Sequence, residues 1–482
     1  MSNFAHADDQ TVVYRTYKAR FIGLFAIVLL NISTGFVWLT YSSVLKAAQA
    51  YLNTDELVVN LTTILYFIAF LIMSPVSGWM FEKKGIKYSL LFGAIIQVIG
   101  AAIRYIATFV ASSPTNPGPR LALTLVGQVI ASGAQPFFLN APPKFAAVWF
   151  SEDGRTTATM IGSVANALAA ALAQLIIPVI TVEKDPETMA SSVLLCLVLS
   201  VVAVVPVLFT PALPPTPPSP SAAAALEENV EEPFWISLKK VGSNRQFMIL
   251  MTLFGTFVGF FNAFSSLITM FTKPFGYTAE ESGYFGAAMV VAGLVGAGVS
   301  GPLMDRTKQF KSVVKSMVPL STIAYVVFCF VVRKDFFIGI MIVSIFIGLF
   351  SFTMLPVVLE LGVECTYPVT PASSTSLLWG SGQFFAVVFL FVLQALQNDA
   401  KAVETGVNAP LIFIAAFCVL ASIPVYFFKS PYLRLEAEGR ARSNQGHVMV
   451  EGKRSLGSSA DEYGMDEVSL EDIKDVKGAK AV

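Results

Sequence analysis

The sequence holds only two histidines, His6 and His447, both in polar stretches near its ends. With no imidazole in the body of the chain, a Ser/His/Asp nucleophilic set and a histidine-ligated metal centre have nothing to be built from there. The four cysteines, Cys196, Cys329, Cys365 and Cys418, stand apart with no CxxC pair, so neither a zinc site nor a disulfide framework is indicated. A Walker-type glycine loop for nucleotide phosphates is missing as well. Charge is scarce: Asp, Glu, Lys and Arg make up 13% of the residues, against about 25% in a soluble domain. The acids and bases cancel to a net charge of zero, which offers no electrostatic case for a nucleic-acid partner. These absences argue against an enzyme and lead to no expected cofactor or metal.

What fills the chain instead is hydrocarbon. Hydrophobic residues reach 55% and phenylalanine alone contributes 40. Runs such as "FIGLFAIVLLNISTGFVWLTYSS" at 21–43 are long enough to span a bilayer core, about 30 Å thick and crossed by about 20 helical residues. Lipid offers no partner for free backbone N–H and C=O groups, so each such run is expected to be a helix. Twelve are found, at about 21–43, 57–80, 88–110, 121–143, 156–181, 190–211, 247–272, 283–304, 313–332, 336–359, 372–395 and 409–428. The polar opening "MSNFAHADDQTVVY" lacks the apolar core of a cleavable signal, so the first span is expected to act as the insertion signal.

Between the sixth and seventh runs lies "TPALPPTPPSPSAAAALEENVEEPFW", proline-rich and then acidic, with nothing in it that could span. The organisation expected is therefore a tail at 1–20, a six-helix half at 21–211, a linker at 212–246, a second half at 247–428 and a mixed-charge, disordered tail at 429–482. Lysine and arginine concentrate on the side that carries both tails, which predicts that both termini are cytoplasmic. The fold class expected is an all-α, multi-pass integral membrane protein surrounded by lipid.

The charged knot "GWMFEKKGIKYS" at 78–89 has a counterpart in "GPLMDRTKQFKS" at 301–312. Gly78 matches Gly301, Glu82 matches Asp305 and Lys83 matches Arg306, while Lys87 answers to Lys308 or Lys311. Each knot follows the second helix of its half, as an internal half-chain repeat requires. The expected device is a latch: the acid of one helix end pairs with cations at neighbouring ends, and the glycine lets a second helix approach. Plain positive-inside marking would account for the lysines but not for the acid or the repeated glycine.

Gly78, Glu82, Lys83, Gly85 and Lys87 together resemble the signature loop of the major facilitator superfamily, which implies two pseudo-symmetric halves of six helices. The first copy departs from that loop in carrying Glu82 and Lys83 for the usual Asp and Arg, and Ile86 where a base is common. Longer stretches resemble the feline leukaemia virus subgroup C receptor-related (FLVCR) transporters. They are "FVWLTYSSV", "SGAQPFFLNAPPKFAAVWFSEDGRTTAT", "DRTKQFK" and "VECTYPVTPASSTSLLWGSGQ". That resemblance implies transport of a small organic solute, choline or ethanolamine first, with haem or a B6 vitamer as the alternative cargo. A transporter-like sensor signalling through its tail is the other function class.

The resemblance also points to a central site. Trp38 matches a tryptophan that stacks on a quaternary ammonium group, Gln135 and Gln383 match cavity glutamines, and Asn166 matches an asparagine of the fifth helix. Where the family has a tyrosine in the seventh helix this chain has Asn262, so the aromatic wall is expected either to be rebuilt from Phe261 or Tyr41 or to be absent. No Asp or Glu falls at the middle of any span, so a facilitated uniporter working by alternating access is expected. Glu360 and Glu364, one turn apart, are read as a gate pairing with Lys144 or Arg155. A monomer in the plasma membrane is the expectation, with a vacuolar or other endomembrane as the alternative.

Overall fold

The computed structural model describes residues 14–110, 118–182, 184–227, 234–397, 408–429 and 431–440. Among them every regular element is a helix. Twelve helices are long and apolar enough to cross a bilayer. They are α1 (Arg20–Leu39), α2 (Glu56–Lys83), α3 (Gly85–Ala107), α4 (Gly118–Trp149), α5 (Arg155–Ile180) and α6 (Met189–Phe209) in the first half. The second half holds α7 (Arg245–Thr272), α8 (Ala279–Thr307), α9 (Phe310–Val331), α10 (Phe337–Thr366), α11 (Pro371–Leu396) and α12 (Ala409–Ser422). All lie in one compact unit, Met1–Arg434, and Leu435–Val482 makes a second. Most of the tail expected to be disordered, 441–482, lies outside the described residues.

An even number of crossings puts the outer ends of α1 and α12 on the same face, called the terminal face below. The linker sits there and forms two short helices, Pro220–Glu227 and Phe234–Ser243. It is pinned to the first half: Arg15 N–H donates to Pro217 O at 3.2 Å, and Arg155 donates to the Ser219 and Ser221 hydroxyls at 3.2 and 3.0 Å.

Helix α4 is the irregular span. It runs in three pieces, Gly118–Ser132, Gln135–Leu139 and Ala141–Trp149. Pro142 and Pro143 of "NAPPK" open the third piece, and Pro136 opens the second. At a helix start the absent proline N–H costs nothing and the fixed φ favours the turn. The third piece is buried along its whole length and seals the terminal side of the first half.

Small residues set how closely the helices cross. A Cβ placed on Gly348 of α10 would stand 1.8 Å from the Met289 carbonyl oxygen of α8, and one on Gly296 of α8 would stand 2.5 Å from Leu349 O. The two backbones touch from both sides, as expected where no hydrophobic effect drives helices together and packing must do it.

Candidate functional site

A partly open cavity lies between the halves, with about 950 Å³ of space counted out into open solvent. Six of the seven residues expected at a central site line it: Trp38, Gln135, Asn166, Phe261, Asn262 and Gln383. They come from α1, α4, α5, α7 and α11, and no described lining residue is an Asp, Glu, Lys, Arg or His.

Trp38 sits at the end of α1, 7% exposed. Its indole stacks on Tyr66 of α2, with ring centroids 5.9 Å apart and planes 11° from parallel, and meets Phe67 edge-on at 5.5 Å. Tyr66 is itself held from below, since its hydroxyl donates to Thr34 O at 3.0 Å and lies 2.8 Å from the Thr34 hydroxyl. One indole face is thus occupied by protein. Gln135 is the first residue of the second piece of α4, so the break in that span is what aims it inward. Asn166 is partly used inside the first half, where its amide donates to Asn31 O at 3.3 Å.

Tyr41 does not join them. It is 1% exposed and packs on the far side of the first half, with the Arg104 guanidinium 4.8 Å above its ring. Three residues after Trp38, it follows the end of α1 and the chain turns there into a short 3-10 segment, Ser42–Val44, which carries its ring away from the cavity.

The opposite wall holds a residue the sequence reading passed over. Trp379 of α11 lines the cavity, meets Phe254 edge-on at 5.4 Å, and stands one turn from Gln383 on the same helix face. The four-residue spacing within "SLLWGSGQ" was the available signal. Phe261 and Phe352 meet at 4.6 Å, and Phe67 and Phe254 complete an aromatic lining. Several polar atoms of the lining residues are buried without a hydrogen-bond partner: Nε1 of Trp38 and Trp379, Oε1 of Gln135 and Gln383, and Oγ of Ser163. Polar atoms left unpaired in so dry a place are costly, and a bound solute with both donors and acceptors would satisfy them.

The terminal face below the cavity is shut by contacts between the halves. The expected latch is present in position but not in chemistry. Glu82, at the end of α2, accepts hydrogen bonds from the hydroxyls of Thr370 and Ser373 (the latter at 2.6 Å), which sit at the start of α11. Asp305, at the end of α8, accepts from the backbone N–H groups of Thr156 and Thr157 at 2.8 Å each and from the Thr157 hydroxyl, at the start of α5. Asp305 therefore caps the N-terminus of α5, where orphan N–H groups and the helix dipole receive negative charge, while Glu82 meets the start of α11 through hydroxyls alone. The motif bases Lys83 and Arg306 are exposed. At Gly301 a Cβ would come within 3.2 Å of Met160 on α5.

The turns that follow the acids correspond as Gly85 with Lys308, both in the left-handed region at φ 79° and 54°. Lys308 uses that turn to donate its ammonium to Glu152 O at 2.5 Å, whereas Lys87 reaches Leu208 O at 3.1 Å and Lys311 lies over the Tyr432 ring at 4.2 Å. Asn140, at the second break of α4, ties the seam: its amide donates to the hydroxyls of Ser77 at 2.8 Å, Ser376 at 3.2 Å and Ser74 at 3.3 Å.

Glu360 and Glu364, expected to pair with Lys144 or Arg155, both receive Arg434, which the sequence reading assigned to the tail. Its Nη2 lies 2.7 Å from Glu360 and its Nε 2.7 Å from Glu364. Glu360 also accepts from the Thr159 hydroxyl of α5 at 2.5 Å, so this carboxylate touches both halves. A planar fork fitting two carboxylates one turn apart is a geometry that arginine provides and lysine does not.

The family model of the Major Facilitator Superfamily matches residues 27–349. The chain belongs to the major facilitator superfamily. Solute carrier family 49 member A3 of Xenopus tropicalis is 32% identical to it over 438 residues, covering 88% of this chain and 90% of the relative. Choline/ethanolamine transporter flvcr2a of Danio rerio is 26% identical over 440 residues, covering 89% and 90%. The solved transporter FucP, in the outward conformation, superposes with a TM-score of 0.66 at 15% identity over 86% of this chain and 100% of that one. This superfamily member is a multi-pass membrane transporter of a small solute, related to the FLVCR transporters, and not an enzyme.

Proposed function

We propose that this transporter carries choline or a closely related small amine, as a monomeric facilitated uniporter working by alternating access. The observation that carries the reading is Trp38, an indole braced on one face and bordering a cavity with aromatic walls and no described carboxylate. A permanent cation over an indole gains about 0.5–2 kcal/mol, more when dry, and needs no counter-carboxylate once aromatic faces surround it. Gln135 and Gln383 supply unpaired carbonyl oxygens for the hydroxyl of choline or ethanolamine. Asn262 on the cavity wall adds an amide suited to a primary amine or an alcohol. The choline and ethanolamine in the name of the flvcr2a relative agree with this chemistry. Haem, the alternative cargo, would find no described imidazole here for its iron.

In this reading Glu82 and Asp305 hold the cytoplasmic face shut, both termini lie in the cytoplasm, and the plasma membrane is the site of action. The test is uptake of labelled choline into cells expressing the chain beside a surface-matched Trp38→Ala variant. Saturable uptake that disappears in the variant supports the reading. Wild-type uptake no higher than in control cells sinks it and moves the search to ethanolamine, B6 vitamers and haem in turn.

A further inference from the structure

Besides Arg155, two described arginines are buried in the first half, both near its end opposite the terminal face, and they are matched unequally. Arg120 donates from Nε to Val110 O at 2.8 Å and from Nη1 to Tyr51 O at 3.2 Å, and it pairs with Glu187 at 2.9 Å. Arg104 of α3, 1% exposed, has one hydrogen bond, from Nη1 to Val37 O at 3.3 Å. Its Nε and Nη2 are buried without a partner, and no described carboxylate lies within ion-pair distance of it. A guanidinium does not shed its proton, so this charge cannot be neutralised by titration. Leaving it uncompensated among apolar helices is among the costlier arrangements a membrane protein can hold.

The surroundings are made of donors. The Tyr41 ring lies under the guanidinium, and the hydroxyls of Tyr41, Tyr51 and Thr124 are all buried without partners. Tyr51 is within electrostatic reach: burial and then Tyr41 push its phenol above the ordinary range, while Arg120 and Arg104 pull the other way. Around these groups close apolar side chains, Leu52, Val59, Met189 and Val193 among them. Helix α4 presses on the arginine stem so tightly that a Cβ on Gly127 would stand 2.8 Å from Arg104 Cγ.

We propose that Arg104, with the hydroxyls of Tyr41 and Tyr51, holds a small monovalent inorganic anion, chloride in the cell. Excess positive charge selects the sign, the unpartnered N–H groups of Arg104 and hydroxyls of Tyr41 and Tyr51 supply donors, and the close packing of Gly127 on the arginine stem disfavours a bulky organic acid. The site lies behind the cavity wall, because the carbonyl that Arg104 grips belongs to Val37, the residue before Trp38. A bound anion cancels the charge nearest the indole from behind. This last effect rests on the amine reading given above; the binding does not.

The experiment uses the purified full-length protein and compares thermal unfolding in sodium chloride, sodium bromide and sodium gluconate at one ionic strength. Stabilisation by the two halides over gluconate, absent in Arg104→Gln and reduced in Tyr41→Phe, is the expected result. Equal stability in the three salts, or a halide shift that survives Arg104→Gln, overturns the site. Should Arg104→Gln fail to fold, binding of radiolabelled chloride to Tyr41→Phe replaces it, with a loss of affinity of about threefold or more expected for one hydrogen bond of about 0.5–1.5 kcal/mol. Unchanged chloride affinity in that variant overturns the proposal. Choline uptake in chloride and in gluconate is read separately: chloride binding without uptake leaves the site standing and removes the amine reading, and uptake without chloride binding does the reverse.

Discussion

Arg434 holds Glu360 at 2.7 Å while the opposite edge of the same carboxylate takes the Thr159 hydroxyl of the other half at 2.5 Å. One ion pair thereby links the segment after α12 to the seam on which the two halves close.

Removing the arginine leaves two buried carboxylates without that cation. Arg434→Ala is expected to destabilise the protein by about 3–5 kcal/mol, the range seen when one partner of a buried pair is deleted. Adding Glu360→Gln should recover part of the loss, because the neutral amide still accepts from Thr159. Thermal unfolding of the purified single and double variants checks this, and a single variant as stable as wild type would refute it.

The two contacts of the motif acids differ in kind. Glu82 is held by two hydroxyls, which substitution can delete, whereas Asp305 is held by two backbone N–H groups, which it cannot. Charged hydrogen bonds contribute about 1.5–3 kcal/mol each. Ser373→Ala should therefore raise the fraction open at the terminal face by about 10-fold or more, read as faster maleimide labelling of a cysteine at Ser163 on the cavity wall. Thr157→Val, which spares the backbone donors, should have a smaller effect. Equal effects of the two would contradict the distinction.

Trp379 faces the cavity from α11 as Trp38 does from α1. Trp379→Ala is expected to raise the half-saturating choline concentration by about 2- to 30-fold at matched surface expression, following the roughly 0.5–2 kcal/mol of a cation over an aromatic face. Uptake indistinguishable from wild type would make it a packing partner of Phe254 only.

The crossing of α8 and α10 tolerates no side chain at Gly348. Gly348→Val is expected to lower stability by about 1–3 kcal/mol, as overpacking does, with surface expression falling alongside. A variant with wild-type unfolding temperature would show that the helices can separate at no cost.

The spans and the two-half plan were legible because lipid forces apolar runs into helices, and because the acids Glu82 and Asp305 repeat at equivalent places. Their partners were not, since the start of a helix from the other half carries no charge in the sequence and becomes an anion site only when folded. Arg434 was hidden by distance instead, some 70 residues from the glutamates it joins. Six cavity residues were found through resemblance and inward polarity. Tyr41 was misplaced because α1 ends at Leu39 and the chain continues into a 3-10 turn at Ser42–Val44, which breaks the helical register that the sequence pattern assumed. Asn140 went unread because it looked like part of a helix break, when the break is what frees its amide to bind three serines.

The hydroxyl grip of Thr34 on Tyr66, and the stack of Tyr66 on Trp38, have a further meaning for selectivity. An indole wedged in this way cannot swing aside to admit a bulkier guest. Discrimination among ammonium compounds should then fall off as a step with increasing N-alkyl bulk rather than a slope, because a stiff wall rejects where a pliant one would accommodate.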